Sequence, residues 1–431
     1  MKRFIGYLLI LVGLLCNQWE LGSIFSPDGT INSPFFTVLI WSWELVLVTF
    51  GIAILVNGSV AGMRRLRISV GWILLIALFI VSAELLMGSW LSKDKGLRQL
   101  NIPHSVRWSY DVSNLYEYPG YTNYTRDAFG LRGSFSSPDQ IAILTVGSST
   151  TDNRMVTDGE TWQDILQMSL FSEGETLFVA NAGVNNYTVV GSIKSFEQWF
   201  PLIPDLKPRY IIFLSGIWEF VRPPAREFSL VLSTDNFTNR IQANSWFWLL
   251  KGKFEWLFPK PAKAVTKPDE IEWTTSGLLD SVAYDTLMAE RLRQYQEDII
   301  TLIDHSRRLG ATAVFVSQPL PVWSVRNGLV SGSADYGVKK VLTYEDKWIN
   351  GVDSYHIMRR QDNMIARTAQ ENGAYFIDIA RDTSWTASDW YDIDGHFSPR
   401  GSEKFGKILY QHLVPILEVD SLSEQSAGWK R

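Results

Sequence analysis

A single cysteine, Cys16, occurs among 431 residues. That excludes an internal disulfide framework and any zinc site built from several thiolates. Positive charge is also in deficit: 40 Lys and Arg stand against 45 Asp and Glu, a formal net charge of −5. A general affinity for nucleic acid through a basic face is therefore not expected. Histidine is scarce, at five residues. No two form a His-x-x-x-His pair, no carboxylate cluster has ligand spacing, and neither a P-loop nor a dinucleotide fingerprint occurs. No metal and no cofactor is expected, and the chain has no internal repeat or low-complexity tract. What it has in abundance is aromatic surface: 18 Trp, 23 Phe and 16 Tyr, too much to leave in water in a disordered chain. At roughly 100–200 residues per domain, the length predicts two or three structural units.

The apolar residues are unevenly distributed. Phe35 to Val56 and Ser69 to Trp90 are continuous apolar stretches, each above the ~20 residues a helix needs to cross a bilayer. Phe4 to Trp19 is shorter. It reads as a third transmembrane helix or as the apolar part of a signal sequence behind Lys2 and Arg3. A lipoprotein reading of Cys16 is weak, because Leu14 and Leu15 precede it where a small residue belongs. The segment from Asn17 to Pro34 has no Lys or Arg, whereas the loop after the second stretch carries Arg64, Arg65 and Arg67. Basic loops stay in the cytoplasm, so everything after Trp90 is expected outside. The resulting division is a membrane region over 1–92, with spans near 4–19, 35–56 and 69–90, and an extracytoplasmic domain over 93–431. Glu44 and Glu84 lie inside the two longer stretches. A carboxylate in hydrocarbon needs a partner, an interface or a proton, and the functional version of that need is contact with another membrane protein.

The exported part alternates short apolar runs with helical periodicity. The runs are Ile141–Val146, Thr176–Ala182, Tyr210–Leu214, Thr312–Ser317 and Tyr375–Ile379. Helical spacing follows the first at Trp162, Ile165 and Leu166. Longer helices are predicted from Tyr284 to Arg308, stopped by Gly310, and from about Tyr355 to Glu371. Continuous apolar strands separated by helices are buried on both faces of a parallel sheet. The fold class is therefore α/β, a doubly wound, mostly parallel five-stranded sheet preceded by two or three transmembrane helices. Two segments break the pattern: Asn101 to Ser137, and an insertion over about 228–281 holding Trp246, Trp248, Trp256 and Trp273. An insertion of that length suggests a lid or an interaction surface, its tryptophans either stacking on sugar rings or simply packing.

Ligands of open α/β sheets bind at the carboxyl ends of the strands. Those ends carry Gly147-Ser148-Ser149-Thr150, then Asn181 to Asn186 with Gly183, then Ser215-Gly216-Ile217-Trp218-Glu219, then Gln318-Pro319. A late loop holds Asp392-Ile393-Asp394-Gly395-His396. A serine in a tight turn, polar backbone turns and a histidine beside carboxylates are the parts that acyl transfer requires. Each has a plain structural explanation as well: Ser149 as a helix cap, the two aspartates as turn residues. Their convergence on one edge is the informative feature.

In that order, Gly-x-Ser, Asn-x-Gly, Ser-Gly and a late Asp before His resemble the SGNH/GDSL hydrolase superfamily. Asn123 to Gly133 (NYTRDAFGLRG), Val146 to Thr151 and Asp158 to Trp162 resemble its membrane-anchored members associated with cell-surface polysaccharides. The resemblance spans roughly Asn123 to Leu417 and implies a flavodoxin-like SGNH fold. It further implies Ser149 as nucleophile and His396 as its base. The family's usual acid position falls on Ile393, so Asp394 or Asp392 would orient the imidazole, with Asp394 preferred. The oxyanion and substrate positions fall on Asn186, Gly183, Gly216, Trp218 and Gln318; Asn186 stands where a glycine is usual and Trp218 where an asparagine is usual. The implied activity is that of a serine esterase or O-acyltransferase acting on an acylated carbohydrate, acetyl esters first. The competing expectation is a catalytically silent SGNH-like subunit of a membrane complex.

Overall fold

The computed structural model describes residues 2–15, 17, 34–56, 97, 100, 102–116, 120–214, 216, 260–261, 265–334, 343–344, 347–381 and 384–428. The chain divides into two units, one over 1–101 with 231–254, the other over 102–230 with 255–431.

In the first unit, α1 (Lys2–Leu15) and α2 (Pro34–Val56) fall on the first and second apolar stretches. They meet through small residues: a Cβ on Gly51 would lie 2.7 Å from the Gly6 carbonyl oxygen, so the two backbones touch as closely as glycine allows. Glu44 is half-buried on α2. Among the described residues no helix is long and apolar enough to cross a membrane; α1 has 14 residues, and many side chains of α2 lie outside the description. The expected third span at 69–90, with Glu84, lies outside the described residues.

The second unit is built on a five-stranded sheet. The chain first forms an antiparallel pair, β1 (Val106–Asp111) with β2 (Tyr121–Arg126). The sheet strands follow as β3 (Ile141–Gly147), β4 (Phe178–Asn181), β5 (Tyr210–Leu214), β6 (Thr312–Val316) and, after a hairpin of β7 (Trp323–Arg326) and β8 (Leu329–Ser333), β9 (Tyr375–Ile377). Their order is β9-β6-β5-β3-β4, and every neighbouring pair is parallel. The five apolar runs are these five strands. A chain that starts in the middle, steps to one side and then to the other has its switch point between β3 and β5, where such sheets bind ligands.

Helices cover both faces. On one, Trp162, Leu166 and Leu170 of α4 (Trp162–Ser172) pack with Phe405, Leu409 and Leu413 of α8 (Pro399–Gly428) against Ile143, Ile212 and Val314. The one-turn helix α3 (Ser149–Asp152) lies between β3 and α4. On the other face, Phe196 of α5 (Val189–Gln198) meets Phe213 at 6.2 Å and His305 of α6 (Ser281–Arg308) at 5.3 Å. Burying each such Leu, Ile or Phe is worth about 1.5–3 kcal/mol. The helix α7 (Gly351–Glu371) starts four residues before its predicted start, because Asn350 caps it reciprocally with Asp353. The stop at Gly310 has φ +77°, as a glycine C-terminus permits. Of the insertion, only residues 260–261 and 265 onward are described. Trp273 sits in a two-residue strand paired with β8 and is 48% exposed, whereas Trp246, Trp248 and Trp256 lie outside the described residues.

Candidate active site

The turn after β3 leaves no freedom. A Cβ on Gly147 would collide with the Leu214 carbonyl oxygen and with Thr151 Oγ1, so only glycine lets the turn close over β5. Ser148 is extended (φ −91°, ψ −150°) and N-caps α3, its carbonyl accepting from the Thr151 and Asp152 amides at 3.1 and 2.9 Å. Ser149 is therefore the first residue of a single helical turn, which ends at Asn153 in the left-handed conformation with φ +51°.

The carbonyls of that turn are tied down one by one. Thr150 accepts from Trp162 Nε1 at 3.1 Å; Thr151 accepts from Asn181 Nδ2 at 2.7 Å and from Gln163 Nε2 at 2.8 Å; Asp152 accepts from Arg132 Nη1 at 2.9 Å. The Asp152 carboxylate is buried and accepts from Tyr124 Oη at 2.8 Å and Arg126 Nη2 at 2.6 Å, with Arg154 Nη2 at 2.9 Å. Burial opposes its ionisation, but Arg154 and Arg126 hold its pKa below the ordinary carboxylate value. Arg126 also donates to the Gly183 carbonyl. A buried pair of this kind is better at fixing geometry than at adding stability. The segment Asn123 to Gly133 thus holds the serine turn from beneath.

His396 sits on a loop closed by the Trp390–Phe397 bridge and turned by Gly395 at φ +88°. Its Nε2 lies 2.8 Å from Ser149 Oγ and its Nδ1 lies 2.6 Å from Asp392 Oδ2. An ionised carboxylate can only accept, so Nδ1 carries the proton and Nε2 presents a lone pair to the serine hydroxyl. Burial lowers the imidazole pKa, but the Asp392 charge and hydrogen bond outweigh it and raise it above the ordinary histidine value. The Tyr391 ring stacks on the imidazole at 5.3 Å and 7°. The carboxylate that reaches the imidazole is that of Asp392, not of the preferred Asp394. Asp392 Oδ1 accepts from the amides of both Asp394 and His396, at 3.1 Å each, which turns the loop so that the residue four positions before the histidine reaches the ring. Asp394 is exposed by surface area and makes no hydrogen bond to the ring, although desolvation and the neighbouring Asp392 charge raise its pKa.

The expected oxyanion and substrate positions divide. Asn186 is exposed at φ +66°, the third residue of a turn in which the Tyr187 amide donates to the Val184 carbonyl; asparagine tolerates a conformation that otherwise favours glycine. Gly183 is occupied structurally: its amide donates to Asn181 Oδ1 at 2.8 Å and its carbonyl accepts from Arg126, while a Cβ there would meet the Asp152 amide. It is therefore a packing glycine and offers no free amide. Gly216 is buried, its carbonyl accepting from Gln361 Nε2 at 3.2 Å. Gln318 is buried within reach of both Gly216 and Gly395. Trp218 lies outside the described residues. Tyr391, Arg126 and Asp152 have no role assigned from sequence; the arginine pair in Asn123 to Gly133 is a signal for the latter two only. Among the described residues no group of three or more His, Cys, Asp or Glu could hold a metal ion.

No family model and no curated protein matches the chain. Solved structures do. The psychrotrophic esterase EstA from a Pseudoalteromonas species is 11% identical, covering 64% of this chain and 98% of its own, with a TM-score of 0.36. The acetyl xylan esterase AlAXEase is 9% identical over 63% and 98%, with a TM-score of 0.35. A catalytic mutant of the acetylxylan esterase Axe2 from Geobacillus stearothermophilus is 12% identical over 61% and 89%, with a TM-score of 0.32. These likenesses are too slight to carry function, which rests on the site itself.

Proposed function

We propose that this chain is an SGNH-type serine esterase or O-acyltransferase, anchored by its N-terminal apolar segments and acting outside the cytoplasm on acyl esters, chiefly acetyl, of a carbohydrate. One observation carries the proposal: the continuous hydrogen-bonded line Asp392–His396–Ser149, at 2.6 and 2.8 Å, on the carboxyl rim beside the switch point of the sheet. His396 Nε2 takes the Ser149 proton as Oγ bonds to the ester carbonyl carbon, with the Ser149 and Asn186 amides assigned as the oxyanion's backbone donors. The imidazolium, stabilised by Asp392, returns its proton to the departing alcohol as the C–O bond breaks. His396 then deprotonates a second acceptor, whose oxygen bonds to the acyl carbon as the acyl–Oγ bond breaks and Ser149 Oγ takes the proton back from His396. Water gives hydrolysis and a sugar hydroxyl gives transfer.

The test is acetate release from p-nitrophenyl acetate and from acetylated xylan by the full chain and by Ser149→Ala. The expected result is turnover that the substitution reduces at least a thousandfold. Turnover indistinguishable from buffer, or undiminished by the substitution, overturns the proposal.

A further inference from the structure

A cavity of about 300 Å³ opens on the same rim, away from Ser149. Leu320 follows β6, Arg381 follows β9, Trp323 opens β7, and Tyr355 and Arg359 lie one turn apart on α7, with Trp385 closing the wall. In the sheet order, β6 is two strands from β3 and β9 three. At roughly 4.8 Å per strand, that puts the cavity about 10–14 Å from the serine turn. The two places are mechanically joined. The Trp385 ring packs on Phe397, the residue after His396, at 5.9 Å, and a Cβ on Gly395 would run into Leu320.

The donors lining the cavity are unevenly used. Arg359 uses three of its five N–H groups on carboxylates: Nη1 donates to Asp362 at 3.0 Å and to Asp378 at 2.9 Å, and Nη2 donates to Asp378 at 2.7 Å. Arg381 is different. Its Nε meets Asp378 at 2.9 Å, its side chain is 67% exposed, and its two Nη groups have no partner among the described residues. Charge points the same way. The single Asp378 carboxylate is shared by both guanidiniums, and Asp362 is pushed up to about 7 by burial, against the pull of Arg359. The cavity therefore combines the Trp323, Tyr355 and Trp385 rings with the Arg381 guanidinium, whose Nη groups have no partner among the described residues.

We infer that this cavity is a subsite for a saccharide unit bearing an oxyanion, the Arg381 fork pairing with its carboxylate or sulfate and the aromatic rings packing on its pyranose face. Planar bidentate pairing of this type is what distinguishes arginine from lysine. The inference rests on the esterase reading for its meaning, since it names the kind of carbohydrate that the serine would meet, but binding is measurable without turnover. The full-length Ser149→Ala chain is titrated calorimetrically with trigalacturonate, a chondroitin sulfate tetrasaccharide and neutral maltotriose. At least one anionic sugar is expected to bind tenfold or more tighter than maltotriose. Arg381→Gln is expected to remove that preference and Trp323→Ala to weaken it. Binding of neither anionic sugar, or binding that both substitutions leave untouched, overturns the subsite even where ester hydrolysis is robust. Arg381-dependent binding by a chain that hydrolyses nothing retains the subsite and overturns only the esterase.

Discussion

Replacing Asp392 by asparagine separates the observed geometry from its closest rival. Asp392 accepts three hydrogen bonds: two backbone amides on Oδ1 and His396 Nδ1 on Oδ2. An asparagine oxygen still serves both amides, so the loop keeps its shape and the melting temperature should barely move. The side-chain NH2 then faces Nδ1, which must become the acceptor. The imidazole proton shifts to Nε2, and the lone pair that takes the Ser149 proton is lost. In Ser-His-Asp triads that tautomer change costs on the order of 10⁴ in kcat, equivalent to about 5.4 kcal/mol of barrier. Asp394→Asn removes an exposed charge whose carboxylate makes no hydrogen bond to the ring, so an effect below about tenfold is expected. The assay is steady-state hydrolysis of p-nitrophenyl acetate across pH. It carries a second signature: without the Asp392 charge, burial is the main influence on the imidazole, and the acid limb of any residual activity should move to lower pH. If Asp394→Asn costs as much as Asp392→Asn, or if Asp392→Asn stays within tenfold of the parent, the assigned hydrogen-bond line does not operate.

Three further outcomes are expected. Activity of the parent should rise with pH through a limb above the ordinary histidine value, because Asp392 raises the His396 pKa and only the neutral imidazole is a base; by the same sign, the stability gained from protonated His396 is present at low pH and lost as pH rises through that limb. Gly183→Ala should lose most activity or fold poorly, since its Cβ meets the backbone of the serine turn; activity within a few-fold of the parent, with an unchanged melting temperature, would contradict the packing described. Alkaline phosphatase fused after Arg431 should be active in bacterial cells if the domain lies outside the cytoplasm, and β-galactosidase at the same position inactive; the reverse pattern would remove the proposed orientation.

The sheet was legible because its strands are buried on both faces, so their runs are apolar without interruption. The pair β1 and β2 was not legible, since its inward positions include the polar Thr122 and also Arg126, whose guanidinium becomes internal only because Asp152 and Tyr124 receive it. Nor was the early start of α7, which depends on an asparagine cap and not on apolar spacing. Ser149 and His396 stood out through chemistry and strand order. Asp392 did not, because which of two neighbouring aspartates reaches an imidazole depends on a loop folded around that aspartate's own oxygen. The cavity beside Arg381 joins residues from four elements and has no linear trace.

The claim that Ser149 is an activated nucleophile is tested most directly by reacting the full chain with a fluorophosphonate and mapping the adduct by mass spectrometry. One phosphonyl group on Ser149 is expected, absent in Ser149→Ala and formed at least a hundredfold more slowly in His396→Ala. An unmodified chain, or an adduct that persists in Ser149→Ala, would contradict it.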